Sequence, residues 1–303
     1  MTDIVILSDH RYLKKIKNDW YVNQVVLENT ILKNELEKLE LSVEIKDWKD
    51  EVYNWKNTKY AIFRNTWDYF EKFEEFNNWI IKTKTKTKFI NCIELVKWNT
   101  DKKYLKFLSD KGINVSKTEF INKKSSISLS DLFKKTQFDQ AIIKPCISGA
   151  AKDTYRLNKS NFNRFEKTFN SLLKKNDMIF QEFLSNITIF GEISLIFIGK
   201  QFTHAVKKIA KKGDFRVQDD HGGTVEVYYP TKKEIKFGLN CLNKIPHISH
   251  YSRVDIIYDN NDKLSLCELE LIEPELWFRN NKKAAKILAK NISNLINSKP
   301  PQI

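Results

Sequence analysis

The chain has 303 residues, 41% of them hydrophobic, 30% charged and 13% aromatic, with a formal net charge of +14. That composition excludes a disordered chain, which lacks apolar and aromatic mass, and no apolar run approaches the roughly 20 residues that cross a bilayer as a helix. The length suffices for roughly two or three packed subdomains with proper cores.

The positive charge does not by itself name a partner. Lysines are spread along the whole chain, and the densest run, Lys82 to Lys88, alternates with threonine as a solvated linker or strand edge does. Neither nucleic acid nor membrane is an expected partner. Cys92, Cys146, Cys241 and Cys267 are scattered without a CxxC spacing, so they read as small buried hydrophobes of a reducing cytoplasm. The opening MTDIVILSDH lacks a basic leader and a small-residue cleavage site, and reads as a strand rather than a signal peptide.

In chain order, Ile4 to Leu7 predicts a strand, and Val22, Val25, Val26, Leu32, Leu36 and Leu39 predict a helix with one buried face. Val43 and Ile45, then Tyr60 to Phe63, predict two further strands, and Phe70, Phe73, Phe76, Trp79 and Ile80 a second helix. Strand, helix, strand, strand, helix predicts an open α/β domain over residues 1–97. The tract Arg64-Asn65-Thr66-Trp67-Asp68-Tyr69 follows a strand, where such a sheet presents its binding loops. Arg64, Trp67 and Asp68 could hold a polar small molecule there; equally, the Trp could pack in a seam between domains with Arg64 paired to Asp68.

Residues 82–98 read as a connector, followed by a helix from Asp101 to Asp110 that Gly112 ends. Strands are predicted at Val115 to Phe120, Gln140 to Pro145 and Met178 to Phe183, and helices near Ser130 and from Asn161 to Lys175. Two hairpins follow, one over Glu192 to Lys207 and one joining Arg253–Tyr258 to Leu264–Leu271 through Asp259 to Asp262. A helix from Lys282 to Ile296 and a disordered tail from Ser298 complete the chain.

The chemistry concentrates in the second hairpin. Glu268 and Glu270 are two apart on a strand and so share a face, with Asp255 across the hairpin from them. Three carboxylates on apolar strands are costly to bury unless a cation neutralises them, and Mg²⁺ is the natural one for hard oxygen ligands. A solvated strand face is the bland alternative. Lys144 ends an apolar strand, and Lys102 opens a helix. After Lys144, the small residues Ser148, Gly149 and Ala150 could bring backbone amides close to phosphate oxygens. Arg216, near the paired glycines Gly222-Gly223, suits an anion. His221 reads as a polar loop residue, and no spacing argues for a nucleophilic triad.

Taken in order from Trp98 to the last helix, IIKPCISGAAKDTYRL, QEFL, FGEISLIFIGK, HAVKK, KGDFRVQDDHGGT, YSRVDII and CELELIEPEL resemble the ATP-grasp superfamily. Within it the chain is similar to the glutathione-synthetase-like group that includes the cyclo-ligases of D-cycloserine biosynthesis, which share the upstream R-x-TWDY tract. The resemblance implies an α/β (α+β) ATP-grasp fold. Residues 1–97 would form a pre-ATP-grasp domain and 98–303 the ATP-grasp domain, with a lid subdomain at about 115–188 and a metal-binding subdomain at 189–303.

It implies that Lys102 and Lys144 hold the ATP α- and β-phosphates, that Gln181, Glu182, Phe183 and Leu184 form the adenine hinge, and that Glu192 binds ribose. Lys207 and Lys208 would line the same cleft, and Ser148-Gly149-Ala150 would belong to a mobile loop over the phosphates. Asp255, Glu268 and Glu270 would hold two Mg²⁺ ions, Glu270 standing where many members have Asn, and Arg216 would stabilise the transferred phosphoryl group. The expected enzyme is an ATP-dependent carboxylate–amine or carboxylate–amide ligase, intermolecular or cyclising, acting on a small amino-acid-like acid and a nitrogen nucleophile. Relatives are often homo-oligomers. A peptide-modifying ligase and a nucleotide-binding module without turnover are the competing readings.

Overall fold

The computed structural model describes residues 1–217 and 222–298. The first sheet contains β1 (Thr2–Ser8), β2 (Val43–Asp47), β3 (Thr58–Asn65) and β4 (Lys88–Ile90), in the order β2-β1-β3-β4 and parallel throughout. The central strand β1 is an unbroken apolar run because a parallel strand is covered on both faces. Between β1 and β2 lies α1 (Trp20–Glu37), whose first turn is capped by Asp19 and whose Val22, Val25, Val26, Leu32 and Leu36 are buried. Leu39 falls past its end and is exposed. After β3 comes α2 (Phe73–Thr83). The loops that follow β1 and β3 leave the same end of the sheet, which brings Arg11 and Tyr12 beside Trp67.

The stretch expected to be a plain connector contains β4 and a helix, α3 (Ile93–Thr100). The next helix, α4 (Tyr104–Asp110), starts later than its sequence suggests, because Asp101 to Lys103 form a turn instead. Asn99 of α3 donates to the Leu269 carbonyl and accepts from the Leu271 amide, each at 2.8 Å. The helix is therefore fastened sideways onto the acidic strand.

The second sheet is antiparallel and built from β5 (Thr118–Ile121), β6 (Gln140–Pro145), β7 (Tyr155–Asn158) and β8 (Met178–Glu182), in the order β5-β8-β6-β7. Two helices cover one face, α5 (Leu129–Thr136) with a Ser128–Asp131 capping box and α6 (Glu166–Leu173). The expected helix from Asn161 is split, its first turn being a 3₁₀ segment at Phe162–Phe165. Leu132, Phe133 and Phe169 fill the space above Ala141, Ile143 and Phe180. Alternation along β6 and β8 then turns Ile142, Lys144 and Gln181 to the opposite face, toward a cavity.

After α7 (Asn186–Ile189) comes a five-stranded antiparallel sheet. It contains β9 (Glu192–Ile198), β10 (Gln201–Ile209) and β11 (Thr224–Tyr228). Past α8 (Lys232–Leu242) it adds β12 (Tyr251–Tyr258) and β13 (Leu264–Glu270), in the order β11-β10-β9-β12-β13. Neither β11 nor α8 was evident from the sequence. One face of this sheet is divided: Ile196, Ile198, Val206 and Tyr251 pack beneath α1 and the last helix, α9 (Lys282–Asn297), while Glu192, Lys208, Arg253 and Glu268 line the cavity. His221 and the tail from Lys299 lie outside the described residues. No helix among the described residues is long and apolar enough to cross a membrane.

Candidate active site

A cavity of about 380 Å³ opens between the second and third sheets and extends to the loops of the first. Its charged wall is built by register. Asp255 stands opposite Glu268 and Arg253 opposite Glu270 across β12 and β13, and Glu192 stands opposite Lys208 across β9 and β10. The hairpin reading thus holds, and Arg253, two residues before Asp255 on the same strand face, adds a cation that the sequence reading overlooked.

Each carboxylate is met by a base. Arg253 bonds Asp255 at 2.9 Å and also Glu270. Lys208 bonds Asp255 at 3.1 Å and also Glu192. Lys102 reaches Glu268 at 3.0 Å and the Ser148 carbonyl at 2.6 Å. Burial alone would raise the Asp255 carboxyl, but Arg253 and Lys208 outweigh it and hold it down at about 2. Burial likewise opposes Glu268, and Lys102 with Lys144 keeps it below its ordinary value. Glu270 goes the other way: burial, joined by Asp255 and Glu268, lifts it to about 7 in spite of Arg253. At Glu270 the loss of water, joined by the neighbouring acids, therefore outweighs Arg253.

Lys144, Gln181, Glu182, Phe183, Leu184, Glu192 and Lys208 all line the cavity. In the segment expected to receive adenine, the Phe183 amide donates to the Gln140 carbonyl and the Phe183 carbonyl accepts from Asn260, each at 3.0 Å. The Leu184 amide makes no such bond among the described residues. Lys207 lies off the cavity, paired with Glu226 at 3.6 Å and stacked on Phe190, because neighbouring strand residues face opposite ways. Arg216 lines the cavity with its guanidinium braced by Asp214 at 2.7 Å.

Ser148, Gly149 and Ala150 also line it, and their loop is strained. Ala150, Ala151 and Asp153 all have positive φ, which costs a residue with a Cβ about 1 kcal/mol or more. The loop rests on the first domain: Lys152 pairs with Glu71 at 3.3 Å, and Gly149 sits so close that an added Cβ would lie 2.5 Å from the Phe70 ring.

Of the three residues expected on the acceptor side, only Trp67 lines the cavity. Arg64 is fully buried in the seam and pairs with Glu28 at 2.6 Å, not with Asp68. Asp68 accepts from the Trp48 indole at 2.7 Å and pairs with Lys49, inside the first domain. Arg11, Tyr12, Tyr21, Glu273 and Glu275 reach the cavity without having been anticipated. The EPE run just past Glu270 was the available signal for the last two.

Magnesium was expected on Asp255, Glu268 and Glu270. Among the described residues no three acid, histidine or cysteine side chains form a ready-made cation cage, since each of these carboxylates is turned onto a base. The donor set still fits a hard divalent ion: three carboxylates share one strand pair, and burial disfavours the ionised form of Glu270, which a cation would stabilise. These three residues would hold it.

A family model for the RimK-like ATP-grasp domain matches residues 99–293, and a model for the N-terminal domain of D-cycloserine synthetase DcsG matches residues 4–91. The cycloserine biosynthesis protein DcsG of Streptomyces lavendulae is 25% identical over 256 residues, covering 78% of this chain and 83% of that protein. The crystal structure of D-cycloserine synthetase DcsG superposes with a TM-score of 0.86 at 20% identity, over 97% of this chain and 99% of the other. The ATP-grasp ligase PsnB, in complex with a minimal precursor, Mg and ADP, superposes with a TM-score of 0.60 at 13% identity, over 97% and 98%. At these identities the superpositions speak for the fold.

Proposed function

Because the chain belongs to the RimK-like ATP-grasp family, ATP-dependent ligases that form C–N bonds, we propose that it activates a small amino-acid-like carboxylic acid as an acyl phosphate. A nitrogen nucleophile then captures that intermediate. The observation that carries this reading is convergence: Glu268 and Glu270 stand on the wall of one cavity that Lys102, Lys144, Lys208 and Arg216 share with them, and Asp255 lies directly behind that wall, paired with Lys208 and Arg253. A cavity of about 380 Å³ suits small substrates.

A carboxylate is a poor electrophile until its oxygen carries a good leaving group. In the proposed sequence that oxygen attacks the γ-phosphorus of ATP and ADP departs; the nitrogen then attacks the acyl carbon and inorganic phosphate departs. In this reading the Leu184 amide would donate to adenine and Glu192 would take the ribose, both residues lining the cavity. Lys102 and Lys144 would bind the phosphates of the leaving ADP, and Arg216, already braced by Asp214, would need little reorganisation to meet the moving phosphoryl group. Magnesium on Asp255, Glu268 and Glu270, one ion or two, would neutralise phosphate charge in flight. The Ser148–Ala150 loop would exclude water that destroys an acyl phosphate.

The test is hydroxylamine trapping. With Mg²⁺-ATP and a panel of amino acids, ureido acids and simple carboxylates, the purified protein should release ADP and yield the hydroxamate of the accepted acid. ADP release without any hydroxamate from the accepted acid would refute the acyl phosphate, and no ADP release across the panel would refute the ligase reading.

A further inference from the structure

We infer that Phe215 is the positioning residue for Arg216: its ring, docked edge-on against Phe183, holds the arginine in place at the cavity. The assignment rests on the role proposed for Arg216 and adds the group through which that arginine is held.

The segment carrying Arg216 takes its shape from Asp214. Gly213, at φ +88°, turns the chain, and the Asp214 amide closes that turn on the Lys211 carbonyl at 2.9 Å. The Asp214 carboxylate then accepts from the backbone amides of Phe215 and Arg216 at 2.7 and 3.0 Å, and from the Arg216 guanidinium at 2.7 Å. These three bonds run between residues 214 and 216, so they fix the shape of the segment and not its place. A guanidinium that meets a moving phosphoryl group needs both, since a misplacement of about 1 Å can cost about 10²-fold in rate.

Phe215 supplies the place. Its ring meets Phe183 at 6.1 Å between centroids and 88° between planes, the edge-to-face geometry that aromatic pairs favour. Both side chains line the cavity, and Phe183 is buried. Phe183 is itself a fixed point. Its amide is bonded to Gln140 of β6 and its carbonyl to Asn260 in the β12–β13 turn, so it is tied to both sheets that enclose the cavity. The Arg156 guanidinium lies 3.9 Å over its ring, and the Gln140 side chain holds that guanidinium at 2.6 Å. A side chain locked in this way can set the geometry of what docks on it.

Phe215 has no charge and no proton to give, so it cannot stabilise the transferred phosphoryl group itself. The charge belongs to its neighbour, and the ring acts through it. The segment expected to receive adenine thereby also anchors the arginine expected at the phosphates.

The test compares the parent with Phe215→Ala, Phe215→Tyr, Arg216→Ala and the double variant Phe215→Ala with Arg216→Ala. Three quantities are measured: steady-state ADP release with Mg²⁺-ATP and an accepted acid, affinity for a non-hydrolysable ATP analogue, and the rate of tryptic cleavage after Lys211, Lys212 and Arg216. Phe215→Ala should lower kcat by roughly ten- to a hundred-fold, with analogue affinity within about three-fold of the parent. Phe215→Tyr, which keeps the ring, should recover most of that loss. In the Arg216→Ala chain, which lacks the group to be positioned, Phe215→Ala should cost less than about two-fold more. Trypsin should cut the segment of Phe215→Ala about three- to ten-fold faster than that of the parent.

Loss of analogue affinity with kcat intact would make Phe215 a wall of the nucleotide site, and defects that multiply in the double variant would show that it acts apart from Arg216. Either result overturns the assignment. If no acid drives ADP release by the parent, the ligase reading falls, and cleavage still decides the placement: equal rates overturn it and faster cutting of Phe215→Ala upholds it.

Discussion

Arg64 and Glu28 form an ion pair 2.6 Å long that is closed off from solvent between the first domain and the segment after β13. Glu28 also accepts from the Leu276 amide at 2.7 Å and from Phe278 at 3.3 Å, and Arg64 donates to Pro274. The two other guanidinium nitrogens have no acceptor among the described residues, and the guanidinium lies against the rings of Tyr251 and Phe278. The pair therefore joins α1 and β3 to the loop bearing Glu273 and Glu275.

Removing one partner should be worse than removing both. Glu28→Ala leaves a buried guanidinium uncompensated and strips two backbone amides of their acceptor, so urea denaturation should show a loss of about 3–5 kcal/mol. The double variant Glu28→Leu with Arg64→Met should recover part of that loss, the remainder reflecting the orphaned backbone groups. A single variant costing less than about 1 kcal/mol would mean that solvent reaches the seam.

The Ser148–Ala150 loop, proposed to cover the phosphates, offers a second test. At Gly149 a Cβ would lie 2.5 Å from the Phe70 ring, so Gly149→Ala must push the loop or the ring aside. Overpacking of this kind costs about 1–3 kcal/mol. The displaced loop should raise the KM for ATP and let more ADP form without ligated product. Phe70→Leu in the same chain should restore much of the coupling; additive defects in the double variant would place the effect elsewhere.

Periodicity alone made most elements legible, and register made the acidic wall legible: Asp255, Glu268 and Glu270 needed only the alternation of a hairpin. The acceptor end was harder to read. Trp67, Tyr12 and Glu273 belong to three loops that meet only because β1 and β3 are parallel neighbours and because the segment after β13 folds back onto them. Arg64 and Asp68 looked like a polar pair in a binding loop, yet each takes a partner more than 15 residues away, Glu28 and Trp48. Local spacing carries no signal for such partners. Short elements such as β4 and β11 escaped for a related reason, since strands of three and five residues owe their form to their neighbours.

Acid should loosen the same seam. His204 bonds the Leu276 carbonyl at 2.9 Å, and burial lowers its pKa below the ordinary 6.5, as it does for His250. A depressed folded-state value means that the unfolded chain takes up protons first. The contribution of His204 should then be level above pH 6.5 and fall as pH drops below it toward the folded-state value, by at most about 1.4 kcal/mol per pH unit. The raised carboxyls of Glu270 and Glu273 act in the opposite sense, so that contribution is read as the difference in urea stability between the parent and His204→Gln, whose amide can still donate to Leu276. That difference should shift against the parent between about pH 7.5 and 5.5; a constant difference would assign the protons to other groups.

The sharpest prediction concerns Glu268. Its carboxylate is held by Lys102 at 3.0 Å, faces Asp255 across the strands, and is kept ionised by Lys102 and Lys144. Glu268→Gln keeps the shape, removes one negative charge from the wall and frees Lys102 from its ion pair. If the three acids grip magnesium, the variant should need more Mg²⁺ for half-maximal activity and should lose about 10²- to 10³-fold in ADP release, the scale seen when one electrostatic stabiliser of a transition state is removed. Nucleotide binding without Mg²⁺ should change little or even tighten, because Lys102 is then available to phosphate. Asp255→Asn should be the harsher change, since it also leaves Lys208 and Arg253 short of a partner and should lower the unfolding midpoint as well. Turnover by Glu268→Gln at the parental rate, with an unshifted Mg²⁺ requirement, would remove that residue from the metal set and move the phosphate-binding end of the cavity to the lysines alone.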